Sequence, residues 1–354
     1  MESTINIHEH AELLRREIEK ADKEKVSVAL FGHSGAGKST IINKLTGKKL
    51  AKVGVETDTT TEKEKYEWEG IILTDLPGYN TKKFPADEYL EKFRILEDFD
   101  LFLCVFEGKL SKENAEFFTL LKQNGRNCIF IRNKCDMIWE EGKTFEELTE
   151  SIARDLNKQT ESYGETIVFT SGKDNFGFDK LQKDIFRKLE ESKRARWVKS
   201  SKAYSLEFLE EKKKEGEKMV IMHAGLSAAN GINPVPGLDI TIDVGTMLSL
   251  FKKLRKIYGL TDESLDKYKL FSSTALHTAN SMIKIATKEG VLLLLKKFGT
   301  TTATKQISKY IPFVGQAIAA SAGFAITKSA GSTYLENCHE IATAILEIEL
   351  KNKN

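Results

Sequence analysis

The run Gly32-His33-Ser34-Gly35-Ala36-Gly37-Lys38-Ser39 limits this chain more than any other feature. It fits G-x-x-x-x-G-K-[ST] and lies between a period-two segment (Val26, Val28 and Leu30 alternating with Ser27, Ala29 and Phe31) and a helical opening from Thr40 to Leu45. Strand, glycine loop and helix in that order form the cradle in which backbone N–H groups meet phosphate oxygens and the helix N-terminus adds its positive pole. Lys38 then reaches the β- and γ-phosphates, Ser39 is the Mg²⁺ ligand, and Gly32, Ser34, Gly35, Ala36, Gly37 and Thr40 complete the lining.

The segments around this loop predict an α/β fold, a doubly wound and mainly parallel sheet followed by an all-α domain. Short apolar runs recur at Ile71–Asp75, Leu101–Phe106, Cys128–Asn133 and Thr166–Ser171, with helical stretches between them. Thr144 and Glu147 stand in capping-box order ahead of a stripe of Phe145, Leu148, Ile152 and Leu156. Past Leu189 no strand alternation survives, and Leu335, Cys338, Ile341, Ala342, Ile345 and Ile348 trace one apolar helix face. The expected division is an amphipathic helix over 1–24, a nucleotide-binding domain over 25–190 and a helical domain over 191–354. Asn233–Gly245 and Lys309–Ser321 faintly echo each other, each a proline-glycine break followed by small residues.

The identity of the base is read further along. Asn133-Lys134-Cys135-Asp136 closes a strand, and a carboxylate at Asp136 accepts from both N1–H and the exocyclic amine of guanine, whereas adenine offers no such pair of donors. Asn133 ties this loop to the phosphate loop, and the Lys134 stem covers one face of the ring. Asp75-Leu76-Pro77-Gly78 follows a strand. Asp75 holds Mg²⁺ through a water, and the Gly78 N–H reaches the γ-phosphate, so that hydrolysis releases the loop beyond. Thr57, Thr59, Thr60 and Thr61 form a hydroxyl-rich stretch, in which Thr60 is the expected Mg²⁺ ligand and Thr61 the next choice. Ser171-Gly172-Lys173 would offer backbone N–H groups to the guanine O6.

From about Lys25 to Leu189 these motifs, in this order, resemble the translation-factor-class GTPases of Era-like character. The resemblance implies hydrolysis of GTP to GDP and phosphate with Mg²⁺, and its roles fall on Lys38, Ser39, Asp75, Gly78, Asn133, Lys134, Asp136 and Ser171, beside Thr60 and Gly172 as read from the residues above. With its leading helix and helical second half, the whole chain resembles the immunity-related GTPases and their bacterial relatives. Pro234–Leu260 and the run from Ile311 to Gln316 are similar to a helical domain appended to bacterial Era-like GTPases. One departure stands out: where small signalling GTPases place a water-orienting glutamine after DxxG, this chain has Tyr79. Slow turnover by the isolated monomer follows, together with a missing group supplied by a second G domain or a partner.

Composition removes other classes. Lys+Arg 54 against Asp+Glu 52 leaves a net charge of +2, so no global field draws nucleic acid, which is not an expected partner. Beyond the His8/His10 pair the six histidines show no metal-ligand spacing, and the four cysteines form no C-x-x-C pair. The first 25 residues lack an apolar core segment, which with the cysteine usage predicts a cytoplasmic protein. Ile311–Thr327 carries no formal charge, but Gln316 interrupts it and spanning takes about 20 apolar residues. Bundle core, reversible peripheral membrane contact and a true span remain open there. A nucleotide-dependent homodimer is the other expected partner, and a slow switch acting on a soluble protein or ribonucleoprotein is the alternative reading. The basic stretch Arg194–Lys202 reads as a solvated helix face before a lipid or RNA contact.

Overall fold

A computed structural model describes residues 7–52, 63–161, 167–230, 243–268, 273–299 and 321–351. They fall into two units: Glu24–Tyr204, and the leading helix α1 (Ile7–Lys23) with the chain from Ser205 onward.

The first unit is a six-stranded sheet in the order β2-β3-β1-β4-β5-β6. Its strands are β1 (Val26–Phe31), β2 (Glu64–Trp68), β3 (Ile71–Asp75), β4 (Leu101–Phe106), β5 (Cys128–Arg132) and β6 (Ile167–Phe169). Every pairing is parallel except the β2–β3 edge. All six residues of β4 are buried, which is why it reads as an unbroken apolar run: a central parallel strand is covered on both faces and cannot alternate. β2 lies at the edge, and its exposed Glu64, Lys65 and Glu67 carry the charge that an edge tolerates.

The covering helices are α2 (Lys38–Thr46), α3 (Ala86–Lys92), α4 (Lys112–Gln123), α5 (Phe145–Thr160), α6 (Phe178–Lys188) and α7 (Glu191–Ser200). Their starts are written in the sequence. The Ser111 side chain accepts from Asn114 N, and the capping box of Thr144 and Glu147 closes in both directions. α7 belongs to this unit, so the sheet unit runs on past 190. Trp197 is fully buried and donates its ring N–H to Gln182 O, while Ser200 donates to Glu69 O at 2.6 Å. The basic stretch is therefore not simply solvated. Arg194 donates to Phe186 O and Leu189 O at the end of α6, and Lys193 pairs with Glu24 at 2.8 Å.

The second unit is helical throughout its described residues. It comprises α1, α8 (Leu206–Ala229), α9 (Val244–Ile257), α10 (Asp262–Tyr268), α11 (Ser273–Ile285), α12 (Lys288–Gly299) and α13 (Ala322–Lys351). Its core gathers Val220, Met247, Phe251, Leu254, Leu335 and Ile341, with Phe251 stacked on Tyr334 at 4.1 Å. α8 and α13 approach closely because Gly216 has no side chain: a Cβ there would lie 2.5 Å from Leu335 Cδ1. α1 joins this unit through Leu14, clustered with Ala224 and Phe324, and through an Asp22–Lys253 pair at 2.6 Å. Along α13, Leu335, Cys338, Ile341 and Ala342 are buried as the stripe predicts, with Ile345 and Ile348 at its half-buried margin. Residues 311–320, and with them most of the uncharged run, lie outside the described residues, as does most of the segment echoing it. Among the described residues no helix is long and apolar enough to cross a membrane.

Candidate functional site

Four loops leave the carboxyl edge of the parallel strands near β1, where the strand order reverses, the place at which open α/β sheets bind ligands. The phosphate loop follows β1 and opens α2 with Lys38. Two of its glycines are required by their surroundings. Gly32 has φ +142 and a Cβ would overlap Val105 O at 1.9 Å; Gly37 has φ +92 and a Cβ would meet Asn133 Nδ2 at 2.2 Å. Ala36 is buried between them, Ser34 and Gly35 are exposed, and Ser39 and Thr40 are half-buried on the first turn of α2.

Lys38 is buried and folds back over the loop, donating to Gly32 O at 2.9 Å and His33 O at 3.3 Å. Its ammonium lies 3.6 Å from Asp75 Oδ1, at the end of β3. Among the described residues that buried carboxylate oxygen has no hydrogen-bond partner. Burial pushes the Asp75 carboxyl up to about 6 against the pull of Lys38, and Glu64 adds to the rise. An anionic oxygen left without a donor beside a glycine cradle suits a divalent cation and its water shell, so these residues fit Mg²⁺ with a bound polyphosphate.

Asn133 joins three loops of the site. It is buried, its amide donates to Ala36 O at 2.9 Å, and its carbonyl accepts from Thr170 Oγ1 at 3.0 Å. Cys135 N donates to Thr170 O at 3.1 Å. One side chain therefore links the phosphate loop, the Asn133–Asp136 loop and the loop after β6. Lys134 takes φ +55, and Asp136 is exposed within the 3₁₀ turn Cys135–Met137. Gly172 touches α2, since a Cβ on it would come 2.4 Å from Thr40 Cγ2. The Ser171 N–H is engaged by Phe176 O at 3.1 Å, which leaves the following amides of the tripeptide for any base oxygen.

The DLPG segment continues from β3, and Leu76 N donates to Leu30 O at 2.9 Å. Tyr79 turns inward: it is 9% exposed, stacks on Phe117 at 4.8 Å and meets Tyr89 edge-on. The Tyr89 hydroxyl donates to Pro77 O. Thr57, Thr59, Thr60 and Thr61 lie outside the described residues, so the expected Mg²⁺ ligand Thr60 has no place in this geometry.

Two residues of the site were missed in the sequence. Thr170 directly precedes Ser171 and orients Asn133. Glu107, one residue beyond β4, pairs with Lys134 and stands 3.8 Å from His33 Nε2. Both follow apolar strands at the same sheet edge as the recognised motifs, and that position was the available signal.

A phosphate loop, a carboxylate beside its lysine and a guanine-type loop tied to the phosphate loop define a P-loop nucleotide-binding protein. The interferon-inducible GTPase (IIGP) family profile matches residues 3–326, and the chain belongs to this family. It is a GTPase that binds and hydrolyses GTP. Similar proteins include interferon-gamma-inducible GTPase 10 of Mus musculus, 25% identical over 283 residues, 74% of this chain and 67% of that protein. Interferon-inducible GTPase 5 of Bos taurus is 25% identical over 374 residues, covering 98% of this chain and 79% of that one. Among solved structures, a point variant of Aquifex aeolicus Era bound to GDP.AlF4- is 22% identical with a TM-score of 0.38, covering 56% of this chain and 68% of that one.

Proposed function

We propose that this chain is a Mg²⁺-dependent GTPase whose isolated monomer turns over slowly, and whose nucleotide state controls self-assembly. The observation that carries this reading is the burial of Tyr79. The side chain following DxxG is committed to an aromatic cluster, so no group from that position is free to orient a water at the γ-phosphate.

Asp136 accepts from the guanine N1–H and exocyclic amine, the Lys134 stem covers the ring, and the Gly172 and Lys173 amides serve O6. Amides from Gly32 to Thr40 hold the phosphates, and Lys38 exchanges its contacts with Gly32 O and His33 O for the β- and γ-phosphate oxygens. Ser39, Asp75 through a water, and Thr60 would hold Mg²⁺, which when bound neutralises charge on the phosphates. The Gly78 N–H donates to the γ-phosphate, so loss of that group releases the segment beyond it.

Support for a protein contact near the base loop comes from Met137 and Trp139, 75% and 81% exposed immediately after Asp136. The flanking Glu140 and Glu141 disfavour an anionic lipid surface at this edge. In this reading the helical unit carries the nucleotide state outward, either to a membrane surface, as a cytoplasmic protein held at its periphery, or to a soluble partner.

Specific GTPase activity measured across a hundredfold range of enzyme concentration tests the proposal. A rate per enzyme that climbs with concentration supports it, and a fast, concentration-independent rate sinks it. Cosedimentation with liposomes in GTP and in GDP separates the two outputs of the helical unit.

A further inference from the structure

Glu107 stands at a junction between the phosphate loop and the base loop. It follows β4, whose last residue is locked to the start of the base loop: Asn133 N donates to Phe106 O at 2.9 Å, and Phe106 pairs with Arg132 across the sheet. The Glu107 side chain is therefore launched from a fixed point. One carboxylate oxygen forms a close ion pair with Lys134 Nζ, and the other lies 3.8 Å from His33 Nε2 in the phosphate loop. A Cβ on Gly35 would come 3.6 Å from that same oxygen. Among the described residues, the charged and titratable groups around Glu107 include Lys134, His33 and Arg132, with Lys38 just beyond His33.

Lys134 needs such an anchor. Its backbone sits in the left-handed region at φ +55, and its four-carbon stem has more rotamer freedom than a contact with a purine face can use. An ammonium drawn to Glu107, at the margin of the phosphate loop, lays the stem between the base loop and the phosphate loop. Binding over a restrained stem leaves less entropy to be lost when the nucleotide arrives. Neither the phosphate loop nor the base loop contains this group, so motif reading passes over it.

We propose that Glu107 is a positioning residue that holds Lys134 over the purine and thereby sets the affinity for guanine nucleotides. The proposal rests on the guanine reading of Asn133–Asp136. Because the pair makes no contact that distinguishes the number of phosphates, its effect falls equally on GDP and GTP and leaves the chemical step alone.

The test is a double-mutant cycle on the full-length chain. Wild type, Glu107→Gln, Lys134→Met and the double variant are titrated with a fluorescent GDP analogue, with unlabelled GDP and GTP as competitors. Glu107→Gln is expected to weaken GDP and GTP by about fivefold each, the range for a pair about one third exposed, and to raise KM with kcat unchanged. In the Lys134→Met background the same change is expected to do nothing, because a residue that acts through Lys134 has nothing left to position. Glu107→Asp, which keeps the charge but retracts it by one methylene, falls between and serves if the glutamine variant folds poorly.

Three results overturn the inference: additive losses in the cycle, a fall in kcat at constant KM, or tighter nucleotide binding once the carboxylate is neutral. Asp136→Asn is run in parallel. If it fails to shift preference from guanine toward xanthine nucleotides, the guanine reading is what has failed. A normal shift with an inert Glu107→Gln sinks the positioning role alone.

Discussion

Replacing Asn133 by alanine tests whether the site is held together as described. Asn133 is 2% exposed and spends its donor on Ala36 O and its acceptor on the hydroxyl of Thr170, itself 0% exposed. Alanine leaves a loop carbonyl and a buried hydroxyl without these partners, at about 1–3 kcal/mol each for a group that finds no substitute, so a loss near 3 kcal/mol is expected for the sheet unit. Asn133→Asp sharpens the argument. It keeps an acceptor for Thr170 but turns a second carboxylate oxygen toward Ala36 O in a buried position, and so should cost more than alanine despite the closer shape. Both variants and wild type are to be unfolded in urea without nucleotide, then titrated with GDP, GTP and the corresponding inosine and xanthine nucleotides. A join between loops predicts lost stability and weaker binding of every purine nucleotide, because the phosphate loop has lost its support. Asp136→Asn, exposed and outside that hydrogen-bonded join, should change base preference at nearly constant stability. If Asn133→Ala unfolds alongside wild type while guanine affinity alone falls, Asn133 is a base contact and the reasoning fails.

Tyr79→Gln, which restores the residue used by small signalling GTPases, should cost about 2–4 kcal/mol through the lost stack on Phe117 and should not speed hydrolysis; faster turnover at unchanged urea midpoint would refute this. Gly216→Ala should destabilise the helical unit by about 1–3 kcal/mol as α8 is pushed from Leu335, seen as an earlier loss of helical circular dichroism. Lys212 is buried on α8, where desolvation pulls its pKa down to about 7 while its ammonium donates to Ile257 O at 2.6 Å. A base whose folded pKa lies below its unfolded value near 10.4 binds fewer protons when folded, so this group penalises the fold fully below pH 7 and releases the penalty as pH rises toward 10.4. Wild type should gain about 2 kcal/mol from Lys212 between pH 7 and 9 relative to Lys212→Met; equal pH slopes in urea would rule this out.

The sheet was readable because its strands are buried runs of a kind that helices rarely imitate. Leu101–Phe106 and Ile71–Asp75 are observed with the bounds their apolar runs suggested. The phosphate loop was readable for a different reason: its spacing is dictated by steric need, as the contacts that Cβ atoms would make at Gly32 and Gly37 show. α7 was harder to place, because its ten residues hold only two large apolar side chains among lysines and arginines. Composition made it a solvated helix, yet the burial of Trp197 and Val198 seats it in the sheet unit, and the cations of its first turns serve carbonyl and carboxylate groups of that same unit. The leading helix shows the converse. Its stripe announced that it would pack, but a stripe names no partner, and the clustering of Leu14 with Ala224 and Phe324 depends on chain more than two hundred residues away. Glu107 and Thr170 stayed hidden on similar grounds. A carboxylate after one strand and a hydroxyl after another acquire meaning only when the sheet order sets β4, β5 and β6 side by side, so that one reaches Lys134 and the other Asn133. Groups that touch a ligand are constrained by the ligand's own shape and recur at readable spacings. Groups that hold them in place need only stand at the correct end of a neighbouring strand.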